Sequence, residues 1–126
     1  MPRAAAKGKA LWWTATGLQA AAILVLSVIP TKGGPDVPFL DKLVHLCLYW
    51  LFAWLLVQAI RFTRLRERDY LLLAWIYATA YGLLIEILQG LLPWRSADLA
   101  DAAANAVGAA LGVWMGARVP PPKTQS

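Results

Sequence analysis

A short stretch of this chain collects an unusual set of polar side chains between apolar flanks. Within residues 82–112, GLLIEILQGLLPWRSADLADAAANAVGAALG, the polar residues that could do chemistry are Glu86, Gln89, Arg95, Asp98, Asp101 and Asn105. A second set occurs upstream in DKLVHLCLYW and consists of Asp41, Lys42, His45 and Tyr49. At about 100° per residue, the upstream set falls on one side of a helix. Glu86 and Gln89 share one side of a second helix, and Asp98, Asp101 and Asn105 share one side of a third, with Arg95 in the loop between them.

Three kinds of chemistry are open to these residue types. Two carboxylates held together raise each other's pKa, which can leave one as an acid and the other as a base. Carboxylate and amide oxygens with one imidazole can bind a divalent cation. Lys42 and Arg95 can bind a phosphate or a carboxylate group. The residue types alone do not choose among these three.

The motifs that would name a reaction do not occur in this sequence. It has no Walker sequence, no G-x-S-x-G elbow and no HExxH helix. Its single cysteine, Cys47, fits no zinc spacing. We therefore assign no metal ligands, and we leave open both the cofactor and whether the chain is an enzyme. The net charge of +5 does not indicate nucleic acid, because the basic residues lie between long apolar runs rather than among aromatic residues on one face.

Four apolar runs must position these residues. The 126-residue chain is 60% hydrophobic and 15% charged, whereas soluble domains are nearer to half and a quarter. The runs cover residues 10–29, 41–60, 70–92 and 98–117, and each has the length of about 20 residues that crosses a bilayer as a helix. We expect an all-α integral membrane bundle of four transmembrane helices over residues 10–117, with short segments 1–9 and 118–126 at its ends.

The distribution of basic residues predicts how this bundle is oriented. Nine of the twelve Lys and Arg residues fall in the two terminal segments and the loop after the second run, whereas Lys32, Lys42 and Arg95 fall on the other side. The positive-inside rule then places segments 1–9 and 118–126, and so both termini, in the cytoplasm. Both polar sets lie at one depth near the outer surface in this topology.

Helical periodicity also predicts which way the acidic residues of the fourth run point. Asp98, Asp101 and Asn105 share a stripe with Gly108 and Gly112, and small residues at this spacing let two helices approach closely. The carboxylates are therefore expected to point into the bundle. Charges inside a membrane are costly, so their convergence is a functional-site hypothesis by default.

Structural explanations for the same residues stay open. Asp41 and Asp98 each precede or begin an apolar run, so either can serve only as the N-cap of its helix. Glu86 can serve as an interhelical polar contact, for example with His45 or Arg95.

Taken together, the two polar sets resemble the motif of the VanZ-like family of bacterial membrane proteins. In that family an Asp-Lys-x-x-His…Tyr helix precedes a Glu-x-x-Gln…Arg…Asp-x-x-Asp-x-x-x-Asn-x-x-Gly pattern. The matching positions here are Asp41, Lys42, His45, Tyr49, Glu86, Gln89, Arg95, Asp98, Asp101, Asn105 and Gly108. The namesake of the family is associated with resistance to teicoplanin. The resemblance therefore implies a multi-pass protein of the bacterial inner membrane with a role in the envelope, and it implies no particular reaction.

The leading functional hypothesis is an outer-leaflet polar pocket that binds or modifies a lipid or a lipid-linked cell-wall precursor, and so affects glycopeptide sensitivity. The residues predicted for catalysis are Glu86, His45 and Asp101. The residues predicted for substrate binding are Lys42, Arg95, Asp41, Tyr49, Gln89, Asp98 and Asn105.

Two alternatives remain open at this point. One is a non-catalytic structural or partner-binding membrane protein. The other is a small transport or proton-relay component. A relay would need an oligomer, because the inner half of the bundle has almost no polar residues.

Overall fold

The computed structural model describes residues 2–30 and 38–120, and in these ranges it consists of four α-helices and their connections. The helices are α1 (Pro2–Val28), α2 (Pro38–Ile60), α3 (Glu67–Leu91) and α4 (Leu99–Arg118). Neither described range contains a strand, so the all-α prediction is confirmed. Segment 31–37, which includes Lys32, lies outside the described residues, as does the predicted tail beyond residue 120.

Three of the helices are suited to a membrane. The stretches Ala6–Val28, Leu40–Ile60 and Glu67–Leu91 are long and apolar enough to cross one. Their outward surfaces carry large apolar side chains, such as Leu84 and Ile87, that are more than half exposed. A surface of this kind is unfavourable in water and suits a lipid environment. These features describe a multi-pass membrane protein. The helix α4 is not among these three stretches; it is rich in Ala and Gly and contains Asp101 and Asn105.

Two helices begin earlier than the apolar runs suggest. The helix α1 starts at Pro2, because the stretch PRAAAKGKA is rich in strong helix formers although it is not uniformly apolar. The helix α2 starts at Pro38, and proline is favoured at a first helical position because its missing N–H has no partner there to lose. Asp41 consequently lies within the first turn of α2, and the interpretation of Asp41 as an N-cap is wrong.

The helix α2 is the centre of the bundle. It contacts all three other helices, and its contact with α4 is the most extensive. A Cβ atom added at Gly108 would overlap the carbonyl group of Leu46, and one added at Gly112 would overlap that of Trp50. The backbones of the two helices are therefore in direct contact, which confirms the close approach predicted from the glycine stripe.

Arg61 holds the last turn of α4 at one end of the bundle. Its Nη2 donates to the carbonyl oxygen of Gly116 at 2.9 Å, and its Nη1 donates to that of Val119 at 3.1 Å. The last carbonyls of a helix have no partner within the helix. Arg61, one of the basic residues from which the membrane orientation is predicted, therefore also stabilises the end of α4.

Replacing Gly112 with alanine is expected to lower the melting temperature of the protein in detergent. The added methyl group would overlap the Trp50 carbonyl, and overpacking of this kind destabilises by about 1–3 kcal/mol. Gly17→Ala is the matched control. Outside the neighbouring backbone of α1, no described atom lies within 4 Å of the position of its Cβ, and alanine has a higher helix propensity than glycine. Equal melting temperatures for the two variants would contradict a direct backbone contact between α2 and α4.

Candidate functional site

Apart from Tyr49, which lies at the middle of α2, the candidate residues lie at one end of the bundle, where α1 and α3 finish and α2 and α4 begin. We call this the site end. The antiparallel order of consecutive helices produces it, because the start of α2, the end of α3 and the start of α4 then meet at one level. The fold therefore brings Lys42 and His45 into contact with partners at the start of α4 that lie 56 to 60 residues later in the sequence.

Lys42 on α2 joins two carboxylates at the start of α4. Its Nζ donates to Asp98 Oδ2 at 2.9 Å and to Asp101 Oδ1, and it lies 3.8 Å from Asp41 Oδ2. Asp98 also caps α4, since its Oδ1 accepts the N–H of Ala100 at 2.9 Å, which confirms the N-cap interpretation for this residue. The hydrogen bond from Lys42, followed by that from Ala100, holds the pKa of the Asp98 carboxyl below its usual value.

His45 connects the same two helices. Its Nδ1 is hydrogen-bonded to Asn105 Oδ1 at 3.0 Å. Its Nε2 lies 3.8 Å from Asp41 Oδ1 and 3.8 Å from Asp101 Oδ2, which is too far for a hydrogen bond. The other ring nitrogen therefore faces two carboxylates without a direct hydrogen bond to either.

Glu86 is buried where α3 leads into α4. Its Oε2 accepts the backbone N–H of Asp98 at 2.9 Å, and its Oε1 is buried without a hydrogen-bond partner among the described residues. The contact with the side chain of His45 or Arg95 that the sequence left open is not formed. Glu86 instead stabilises the turn before α4 and keeps one free oxygen.

The last carbonyl groups of α1 are bound from the other side of the site. Arg95 Nη2 donates to Leu26 and Ile29 at 2.9 Å each, and Trp94 Nε1 donates to Val28 at 2.8 Å. Gln89 Nε2 donates to the carbonyl oxygen of Ser27 at 3.1 Å. These carbonyls lack intrahelical partners at a helix C-terminus, so the α3–α4 connection both caps α1 and attaches it to the site.

A cavity of about 430 Å³ opens at the site end. Five of the predicted site residues line it: Asp41, His45, Gln89, Arg95 and Asp101. The sequence reasoning missed Pro93, Trp94 and Ser96, which complete the lining. Their position on either side of Arg95, between two polar helix ends, was the signal available for finding them.

The other predicted residues lie behind the lining. Lys42 contacts Asp101 and Asn105 contacts His45, so both support residues that face the cavity. Glu86 and Asp98 lie one contact further back. Tyr49 is fully buried one turn deeper, and its hydroxyl has no partner among the described residues.

Fold and site together define a helical multi-pass membrane protein with a charged cluster at one end of its bundle. The family model described as VanZ/LLP1 matches residues 6–119, which is nearly the whole chain, and the chain belongs to this family. The resemblance inferred from the polar motif is thereby confirmed. No curated protein and no solved structure matches the chain significantly.

Arg95→Met is expected to destabilise the protein, because the carbonyls of Leu26 and Ile29 lose their donor. Hydrogen bonds to charged groups are worth about 1.5–3 kcal/mol each, and partial exposure of this side chain reduces the expected total loss to about 2 kcal/mol. The measurement is thermal unfolding in detergent. Arg64→Met is the matched control, since Arg64 is exposed and forms no hydrogen bond with the described residues. An equal loss in both variants would mean that the removed charge matters rather than the cap on α1.

Proposed function

We propose that all four helices cross the bacterial inner membrane, with both termini in the cytoplasm and the site end facing outward. The excess of Lys and Arg on the side of the termini supports this orientation. The inclusion of α4 rests on its packing. It has 20 residues, about 30 Å of helix, and its glycines contact α2 from Leu46 to Val57. A helix that packs along a membrane-spanning helix over this length crosses the membrane beside it.

Reporter fusions test the orientation. Green fluorescent protein fused after Ser126 should fluoresce, and alkaline phosphatase at the same point should be inactive, because only the former works in the cytoplasm. Fusions that end at Ser96, in the connection before α4, should give the opposite pair of results. An active phosphatase at the C-terminus would show that the orientation is reversed or that α4 does not span.

We further propose that the cavity binds or modifies a lipid, or a lipid-linked cell-wall precursor, that carries an anionic headgroup. The observation that carries this proposal is the position of the charged cavity beside exposed apolar surface. Trp94, which lines the cavity, is 50% exposed. Leu91 and Leu99, each two residues from a lining residue in the sequence, are 76% and 84% exposed. An amphipathic molecule satisfies both surfaces, with its headgroup in the cavity and its chain along the helices.

The proposed roles follow from the contacts. His45 and Asp101 face the cavity and Glu86 lies behind it with a free oxygen, so these three are the candidates for proton transfer. Lys42 and Arg95 supply positive charge for the headgroup. The remaining residues position these groups or contact the ligand: Asp41, Tyr49, Gln89, Asp98 and Asn105. A protein that holds a cell-wall precursor in this way would alter glycopeptide sensitivity by changing how much precursor is accessible.

A purely structural role is the second candidate, and a specific observation favours it. Three of the site residues that carry N–H donors are already bound by other parts of the protein: Lys42 by residues at the start of α4, and Arg95 and Gln89 by the end of α1. Joining helices is a sufficient reason for such a network, because helices in lipid gain no hydrophobic association energy from packing together.

A ligand titration separates the two candidates. A polyprenyl diphosphate should raise the melting temperature of the purified protein by several degrees, because a ligand that binds only the folded state stabilises it. Phosphatidylcholine serves as the control lipid. Glu86→Gln should melt close to the native protein without ligand, since the amide oxygen can still accept the Asp98 N–H.

The opposite results favour the structural role. An unchanged melting temperature with the diphosphate would contradict the lipid proposal. A large loss of stability in Glu86→Gln would indicate that this carboxylate holds helices together and is not kept for chemistry.

A further inference from the structure

We propose that Asp41, His45 and Asp101 bind a divalent metal ion, Mn²⁺ or Zn²⁺, at the cavity. Each residue offers one ligand atom, and the three atoms lie within 4.8 Å of one another. Ligand atoms that are about 2.0–2.2 Å from one ion lie about 3–3.5 Å from each other. The two distances of 3.8 Å from His45 Nε2 to the carboxylates need to shorten by about 0.3–0.8 Å. A pair of ligand atoms as far apart as 4.8 Å has to close by more than about 1 Å, which a rotation of the exposed Asp41 side chain can supply.

The orientation of the His45 ring is compatible with a cation at this point. Its Nδ1 is hydrogen-bonded to Asn105, which leaves Nε2 as the ring nitrogen that faces oxygens of Asp41 and Asp101. Two carboxyl groups this close together favour positive charge in addition to that of Lys42, which contacts both of them. A hydrogen bond on the far nitrogen of the ring is also the arrangement that usually orients a metal-binding histidine. Asn105 supplies it here.

An independent observation comes from α3. Gln89 lines the same cavity and is only 4% exposed. Its Nε2 is bound to the carbonyl of Ser27, whereas its Oε1 is buried and has no hydrogen-bond partner in the described part of the chain. A buried acceptor without a donor is costly, and a neutral oxygen at this position is suited to contribute a further ligand.

The charges of the cluster point in the same direction. Four carboxyl groups, those of Asp41, Glu86, Asp98 and Asp101, stand against the two cations Lys42 and Arg95. Lys42 is bound to Asp98 and to one oxygen of Asp101, which leaves the other oxygen directed at His45. The acidic excess favours a divalent cation.

The ligand types narrow the choice of ion. Mg²⁺ and Ca²⁺ prefer sites built only from oxygen, whereas one imidazole with two carboxylates suits Mn²⁺ or Zn²⁺. In one respect this inference rests on the proposed function: a bound ion would give an anionic headgroup a positive partner in addition to Arg95, which lines the same cavity. The binding of the ion itself is independent of any lipid.

The test is a titration of the untagged full-length protein in detergent with Mn²⁺ alone, followed by electron paramagnetic resonance. His45 is the only histidine of the chain, so an imidazole nitrogen coupling on bound Mn²⁺ can come only from this residue. We expect saturable binding of one ion with that coupling. His45→Ala should remove the coupling, and it should weaken binding roughly tenfold or more.

Asp41→Asn is a second variant that should still fold, because the Asp41 side chain is 55% exposed. It should weaken Mn²⁺ binding to a similar extent. Glu67→Gln is the matched control, as it removes an exposed carboxylate in the first turn of α3, at the opposite end of the bundle. The proposal is overturned if neither Mn²⁺ nor Zn²⁺ binds saturably. It is also overturned if Asp41→Asn binds as tightly as Glu67→Gln.

The two proposals fail separately. If a polyprenyl diphosphate stabilises the protein in the presence of EDTA and neither Mn²⁺ nor Zn²⁺ binds, the lipid proposal stands and the metal proposal is wrong. If Mn²⁺ binds with the histidine coupling and the lipid has no effect, the metal proposal stands and the lipid proposal is wrong.

Discussion

The contact between the backbones of α2 and α4 is the constraint on which the rest of the structure depends. Gly108 and Gly112 leave no room for a side chain against the carbonyls of Leu46 and Trp50. Because this contact fixes the separation and rotation of the two helices, it brings Asp101 and Asn105 within reach of Lys42 and His45. A wider spacing would leave buried charges without partners, which is far more costly in a bundle surrounded by lipid than in water. The charged cluster therefore depends on the close packing of α2 against α4.

The cluster is well paired but not completely satisfied. The described chain contains eight buried side-chain atoms without hydrogen-bond partners, and five of them belong to the candidate site residues: Tyr49, Glu86, Gln89, Arg95 and Asn105. Folded proteins leave few such atoms, and each costs stability. Their concentration in one place is typical of a site that is completed by something it binds, because sites kept for function are often less stable than they could be.

The same end of the molecule also determines how α1 is attached. Trp94 and Arg95 belong to the cavity lining, and they also hold the final carbonyls of α1. Any molecule that enters the cavity meets the residues that fix the end of this helix. In the membrane there is little hydrophobic driving force between helices, so these polar contacts contribute a larger share of the attachment than they would in a soluble bundle.

The sequence by itself determined the helical class, the number of helices and the level at which the polar residues gather, because apolar length and helical periodicity are local properties of the chain. It also predicted the glycine contact and the cap at Asp98. Only the tertiary structure decided that Arg95 binds α1, that Glu86 accepts a hydrogen bond in the turn before α4, and that Nε2 of His45 faces two carboxylates. These features depend on helix rotation and on the path of the α3–α4 connection. Contacts between distant segments set both, and no local pattern records them. For the same reason Pro93, Trp94 and Ser96 were recognised only in the folded molecule.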